Sequence, residues 1–328
     1  MVGRGATCSG RIRRLMNRTC DRSCALSTVL LASVLTGAAA SFAEPVPCAA
    51  RAVTPKSVAT PITLAGEVTM AGSQAVEFWV HRAKQPRATL VFENGLMLPL
   101  TTWQRVVQEL ADEADILLYN RPGVGRSALP EKPQNPQDAA RLLHELLRAQ
   151  KLSAPYIVVG HSLGGLHAQL FARLYEQDVA AMLLVDALPP GALKSSDAFP
   201  WYTRLGLQLL AAEYVQREIA GAPAMGDALL GGGASTFDKP VIRLIALPDP
   251  AAGKPEGLVA DLLKGVIYAE DFGVWAVDPD IAERSLDRLY PRSVVRQLRV
   301  HHRVQETAPA AVVEAIRELM DGAGCAAF

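Results

Sequence analysis

The chain has 328 residues, 50% of them hydrophobic and 20% charged, a globular profile that excludes disorder. Lys plus Arg and Asp plus Glu both number 33, so the formal net charge is zero. That balance leaves no global basic field to gather nucleic acid or anionic lipid, and the expected partner is a small neutral molecule.

In chain order, the first element is an export signal. Arg4, Arg11, Arg13, Arg14, Arg18 and Arg22, with Asp21 as the one acid, precede an apolar run over 25–40 and then Ser41-Phe42-Ala43. A basic stretch, a short apolar core and small residues before the cut predict a signal over 1–43, cleaved after Ala43. Met16 is an alternative start. The apolar run is too short and too rich in Ala, Ser and Thr to span a bilayer, so no stable membrane anchor is expected after cleavage. Cys8, Cys20 and Cys24 leave with the signal. Cys48 and Cys325 remain, and an oxidising periplasmic or extracellular compartment favours a disulfide between them. No cysteine or histidine spacing suggests a metal, and no cofactor is expected.

The mature chain, 44–328, reads as one domain. An antiparallel hairpin is expected within 54–87, with Val76, Phe78 and Val80 on one face. A strand–helix rhythm follows: strands at 88–92, 114–119, 156–160 and 180–185, and helices at 102–110, 136–150 and 163–175. Short apolar runs alternating with amphipathic helices imply a mostly parallel sheet covered on both faces. The rhythm breaks at about 187–238, which holds one helical stretch at 205–220, and this insertion reads as a lid. Pro200, Trp201, Tyr202, Leu205, Leu207, Leu209 and Leu210 lend it an apolar lining. Strands at 241–246 and 294–300 and a helix at 308–320 complete eight strands in an α/β fold.

The motif that carries chemistry is Gly160-His161-Ser162-Leu163-Gly164, a G-x-S-x-G between a buried strand and a helix. The turn is too tight for side chains on either side of the nucleophile, hence the glycines. The helix that starts at Leu163 aims its N–H groups at any oxyanion formed there. A serine hydroxyl needs a base. His81, His144, His161 and His167 sit in or beside earlier elements, and only His301 and His302 follow the last strand.

These residues resemble the α/β-hydrolase superfamily, in its lid-bearing branch with a serine nucleophile, and the likeness runs from about Ala88 to the C-terminus. Phe92-Glu93-Asn94-Gly95-Leu96 is similar to the family's oxyanion loop, and Asn120-Arg121-Pro122-Gly123-Val124-Gly125-Arg126-Ser127 to its Asp-Arg-x-Gly-x-Gly-x-Ser turn, with Asn120 in place of Asp. His301 stands where the family has Gly. The resemblance implies the α/β-hydrolase fold and Ser162 as nucleophile, and its spacing to Pro309 assigns His302 rather than His301 as base. The acid is Asp249 after the seventh strand, in the register the superfamily commonly uses, with Asp186 at the end of the sixth as the alternative. The oxyanion donors are the N–H groups of Leu163 and Leu96. Asn94 is a further donor or a turn residue, and Arg121 an ion-pairing one.

The implied activity is hydrolysis of a small-molecule ester. Acyl transfer, perhydrolysis and amidase or lactonase chemistry use the same residues, and a ligand-binding protein without catalysis would keep the pocket. Epoxide and haloalkane chemistry would place Asp where Ser162 stands.

Overall fold

The computed structural model describes residues 62–231, 237–247 and 272–325. The export signal expected at 1–43, Cys48, Asp249 and the Cys325 side chain lie outside that description. The described strands form one eight-stranded sheet in the order β1-β2-β4-β3-β5-β6-β7-β8. The hairpin β1 (Glu67–Ala71) and β2 (Gln74–His81) is antiparallel, and β2 also meets β4 (Asp115–Tyr119) antiparallel. All other pairings are parallel, through β3 (Thr89–Glu93), β5 (Tyr156–His161), β6 (Val179–Val185), β7 (Val241–Ala246) and β8 (Val294–Leu298).

Every residue of β3 and of β5 is buried, which explains why these strands read as continuous apolar runs and not as alternation. Leu90, Phe92, Ile157 and Val159 face α1 (Gln104–Leu110) and the closing helix Pro309–Cys325, which adds Val312 and Ile316. Val91 and Val158 face the opposite layer of α2 (Pro136–Ala149) and α3 (Leu163–Leu174). Helix α2 starts where the Asn135 side chain accepts a bond from the Asp138 N–H and the Asp138 carboxylate accepts one from the Asn135 N–H. Its Leu142, Leu143, Leu146 and Leu147 are buried, as their spacing predicts.

The insertion departs from expectation in one respect. The single helical stretch expected at 205–220 is two helices, α4 (Trp201–Leu210) and α5 (Glu213–Leu230), separated at Ala211 and Ala212 without glycine or proline. Packing decides the break: α5 buries Val215, Ala222, Met225 and Leu229 and rests on α3, whereas α4 buries only Thr203. Trp201, Leu205, Leu209 and Leu210, expected to line a pocket, are exposed on α4. Pro223 sits inside α5 and removes a backbone donor there, a loss that the buried face offsets.

Strand order reverses between β3 and β5. At such a switch point the connections leave in opposite directions and open a crevice at the C-terminal edge of the sheet. The loops after β3 and β5 carry the two G-containing segments singled out above. Among the described residues no helix is long and apolar enough to cross a membrane.

Candidate active site

Ser162 stands between β5 and α3 with φ 53° and ψ −124°, a strained position for any residue with a side chain. The surroundings hold it there. Its N–H donates to the Val185 carbonyl at 3.1 Å, and its own carbonyl accepts from Gly165 and Leu188, each at 2.9 Å. The flanking glycines are steric necessities. A Cβ on Gly160 would sit 2.6 Å from the Gly164 carbonyl oxygen, and one on Gly164 would overlap the backbone oxygens of Glu93 and Asn94. Helix α3 therefore starts flush against the loop after β3. The Leu163 N–H opens the helix directly after Ser162, at the positive end of the helix dipole and with no preceding turn to accept it.

The loop after β3 runs through Asn94, Gly95 and Leu96. Asn94 is buried and both ends of its amide are bonded: Trp103 Nε1 donates to its Oδ1 at 2.9 Å, and its Nδ2 donates to the Tyr119 carbonyl at 2.7 Å. That settles Asn94 as a structural residue of the loop. Gly95 passes so close to His161 that a Cβ would lie 2.7 Å from the ring Nδ1.

The structure brings His302 and Asp186 together. His302 Nδ1 donates to Asp186 Oδ2 at 2.5 Å, which in the neutral ring leaves Nε2 as an acceptor. Asp186 directly follows β6 with φ 43°, and its second oxygen accepts from the Ala246 N–H at 2.9 Å, so both oxygens are tied down. The His302 side chain is 56% exposed, open to a substrate from outside. His301 is also exposed. Of the histidines in earlier elements, His81 and His144 have structural partners, whereas His167 Nε2 is buried without one among the described residues. His81 meets the Ala111 carbonyl at 2.8 Å, and His144 meets Asp178 at 3.1 Å and stacks on Tyr175.

His161 has a role the sequence reading did not single out. Its Nε2 donates to the His302 backbone carbonyl at 2.9 Å, and the two rings lie 4.7 Å apart. Its Nδ1 accepts from the Gln305 amide at 3.3 Å, and that amide also reaches Thr102 Oγ at 3.2 Å. The segment carrying His302 is thus pinned to the strand carrying Ser162. The one available clue was position: His161 directly precedes the serine. Burial holds the His161 imidazole down at about 4, repulsion from His302 adds to this, and the bond to the His302 carbonyl opposes it. A depressed histidine means that the unfolded chain binds more protons between pH 6.5 and 4. Stability should therefore fall as pH falls through that window, by roughly 3 kcal/mol from this group. Urea unfolding of wild type and His161→Asn across pH 4–7 checks this: the variant's stability should depend less steeply on pH.

The turn after β4 explains Asn120. Its Oδ1 accepts from the Leu100 N–H at 2.7 Å while its Nδ2 donates to Glu77 Oε2 at 2.8 Å. An Asp could not donate, and it would set a second carboxylate against Glu77. Arg121, buried in the same turn, bonds the carbonyls of Asn94 and Gly95 and the carboxylates of Glu93 and Glu218. Burial pushes Glu93 up to about 7 against the pull of Arg121. A cleft opens beside this turn between α2 and α5, with Pro122, Leu129, Leu142, Tyr214 and Met225 among its apolar walls. Ser162 and His302 do not line it, so the hydrogen-bonded geometry and not the cleft marks the candidate site.

Comparison with known proteins agrees with this architecture. The model of the alpha/beta hydrolase family matches residues 90–315. Among curated proteins, YqjL of Bacillus subtilis is 31% identical over 106 residues, 32% of this chain and 42% of its own length. A Schizosaccharomyces pombe protein is 31% identical over 90 residues, 27% of this chain and 17% of its own length. The chain thus spans less than half the length of these relatives. Among solved structures, Cfl2 of Burkholderia cenocepacia superposes with a TM-score of 0.55 at 18% identity, over 78% of this chain and 95% of that one. A thermophilic esterase of Thermogutta terrifontis gives 0.53 at 18% identity, over 76% and 94%. At that identity the likeness concerns the fold.

Proposed function

The chain belongs to the alpha/beta hydrolase family, and on that premise we propose that it is a serine hydrolase cleaving a small, fairly apolar carboxylic ester through an acyl-enzyme. The observation that carries the proposal is the 2.5 Å contact of His302 Nδ1 with Asp186, at the same sheet edge as the strained Ser162. In this reading Ser162 Oγ attacks the ester carbonyl and His302 Nε2 takes its proton. The N–H groups of Leu163 and Leu96 receive the oxyanion, the alcohol leaves with the proton from His302, and water then deacylates Ser162 with His302 as base. Asp186 holds the imidazole in the tautomer that leaves Nε2 free to accept. Of the two candidate acids, the contact with His302 favours Asp186 over Asp249.

The family includes other chemistries on the same residues, and acyl transfer, perhydrolysis, amide or lactone cleavage and ligand binding without catalysis remain the competing readings. Esterases among the proteins of like fold support an ester. Exported location, with Cys48 bridged to Cys325, is part of the same proposal and rests on the N-terminal pattern. The test is a series of p-nitrophenyl esters of graded chain length, run beside a fluorophosphonate probe. Stoichiometric labelling of Ser162 with ester turnover supports the proposal. Failure of the probe to label the folded protein would leave ligand binding as the function.

A further inference from the structure

We propose that Arg121 is a positioning residue for the oxyanion hole, and that the insertion helix α5 shares control of it through Glu218. The inference rests on the acyl-enzyme reading above and adds a component to it.

The argument starts from the peptide bond. In a trans peptide the carbonyl of one residue and the N–H of the next point in opposite directions. Arg121 Nη2 donates to the Gly95 carbonyl at 3.1 Å, and Nη1 donates to the Asn94 carbonyl. Holding the Gly95 carbonyl therefore fixes where the Leu96 N–H points, and that N–H is the proposed oxyanion donor. Holding the Asn94 carbonyl does the same for the Gly95 N–H. The loop has little other freedom, since His161 presses against Gly95 and the Leu98 N–H also turns back onto the Gly95 carbonyl at 3.2 Å.

The guanidinium is itself held from two sides. Its Nε meets Glu218 Oε1 at 2.5 Å and its Nη2 meets Glu218 Oε2 at 3.3 Å, while Nη1 meets Glu93 Oε2 at 3.3 Å. All five N–H donors of Arg121 thus have acceptors, two of them carbonyls of the oxyanion loop. The Arg121 side chain is 4% exposed, Glu93 2% and Glu218 11%. Glu93 ends β3 and moves with the sheet. Glu218 belongs to α5, so any shift of that helix pulls on the group that orients the Leu96 N–H. Five donors in a planar fork reach two successive carbonyls and two carboxylates at once, which the three donors of a lysine ammonium cannot.

Arg121→Lys and Glu218→Gln, with wild type beside them, separate positioning from mere stabilisation. Each is titrated with a fluorophosphonate to count reactive Ser162, assayed for kcat and KM on p-nitrophenyl butyrate, and measured for inhibition by an alkylboronic acid. The boronic acid takes the Ser162 oxygen into a tetrahedral anion whose oxygen occupies the oxyanion position. For Arg121→Lys, loss of one oriented donor should lower kcat per labelled site by about 10²–10³-fold and weaken the boronic acid by a similar factor, with KM nearly unchanged. For Glu218→Gln both effects should be about tenfold, with a thermal midpoint near that of wild type. Should Arg121→Lys not fold, Glu218→Gln carries the test. A lowered thermal midpoint with kcat per labelled site and boronic acid affinity unchanged would make this a structural ion pair and overturn the proposal. Absence of labelling in wild type would overturn the acyl-enzyme reading instead, so the two failures are distinct.

Discussion

Ser162→Ala should lower ester turnover by about 10⁶-fold, to the residual rate that binding and oxyanion contacts supply without a nucleophile. The substitution is clean in physical terms. Alanine keeps the Cβ, so the residue remains in the same strained conformation at φ 53°, and the backbone bonds to Val185, Gly165 and Leu188 do not involve the side chain. Only the attacking oxygen is lost. Thermal unfolding of the variant should match wild type while fluorophosphonate labelling disappears. A purified variant retaining more than about 1% of wild-type kcat would remove Ser162 from the role of nucleophile.

The second large effect concerns the base and its acid. His302→Ala should be as damaging as loss of Ser162, because in this reading His302 is the base that takes its proton. His161 cannot substitute: its Nε2 is committed to the His302 carbonyl and its Nδ1 to Gln305. Asp186→Asn should cost about 10⁴-fold in kcat, since an amide no longer selects the tautomer with Nε2 free, whereas Asp249→Asn should stay within about threefold of wild type. Parallel kinetics on the three variants decide the matter. A large loss for Asp249→Asn with a mild one for Asp186→Asn would move the acid to the loop after β7.

How the site came to be legible follows from the kind of constraint each residue obeys. Ser162 could be read directly because its constraint is local: a strand, a turn too tight for side chains and a helix leave a pattern of glycines within five positions. The sheet was legible for a similar reason, since strands buried on both faces must be continuously apolar and helices on a sheet must be apolar on one side. Helix α2 even shows its start in Asn135 and Asp138.

The sequence leaned slightly to Asp249, whereas His302 meets Asp186: either lies after a strand on the correct side of Ser162, and the deciding contact spans 116 positions in the chain. The same holds for His161, a packing histidine to any local reading, whose bond to the His302 carbonyl crosses 141 positions. The break between α4 and α5 had no local signal, because burial of one helix against α3 produced it. Thus the succession of strands and helices along the chain, the elbow and the helix faces follow from residues that are neighbours in sequence, where periodicity and backbone sterics act. The pairing of His302 with Asp186, the bracing by His161 and the grip of Arg121 on the Gly95 carbonyl arise only when the sheet brings distant segments within hydrogen-bond range. A hydrogen bond acts over about 3 Å and depends on direction, so no pattern of residue types along the chain encodes it.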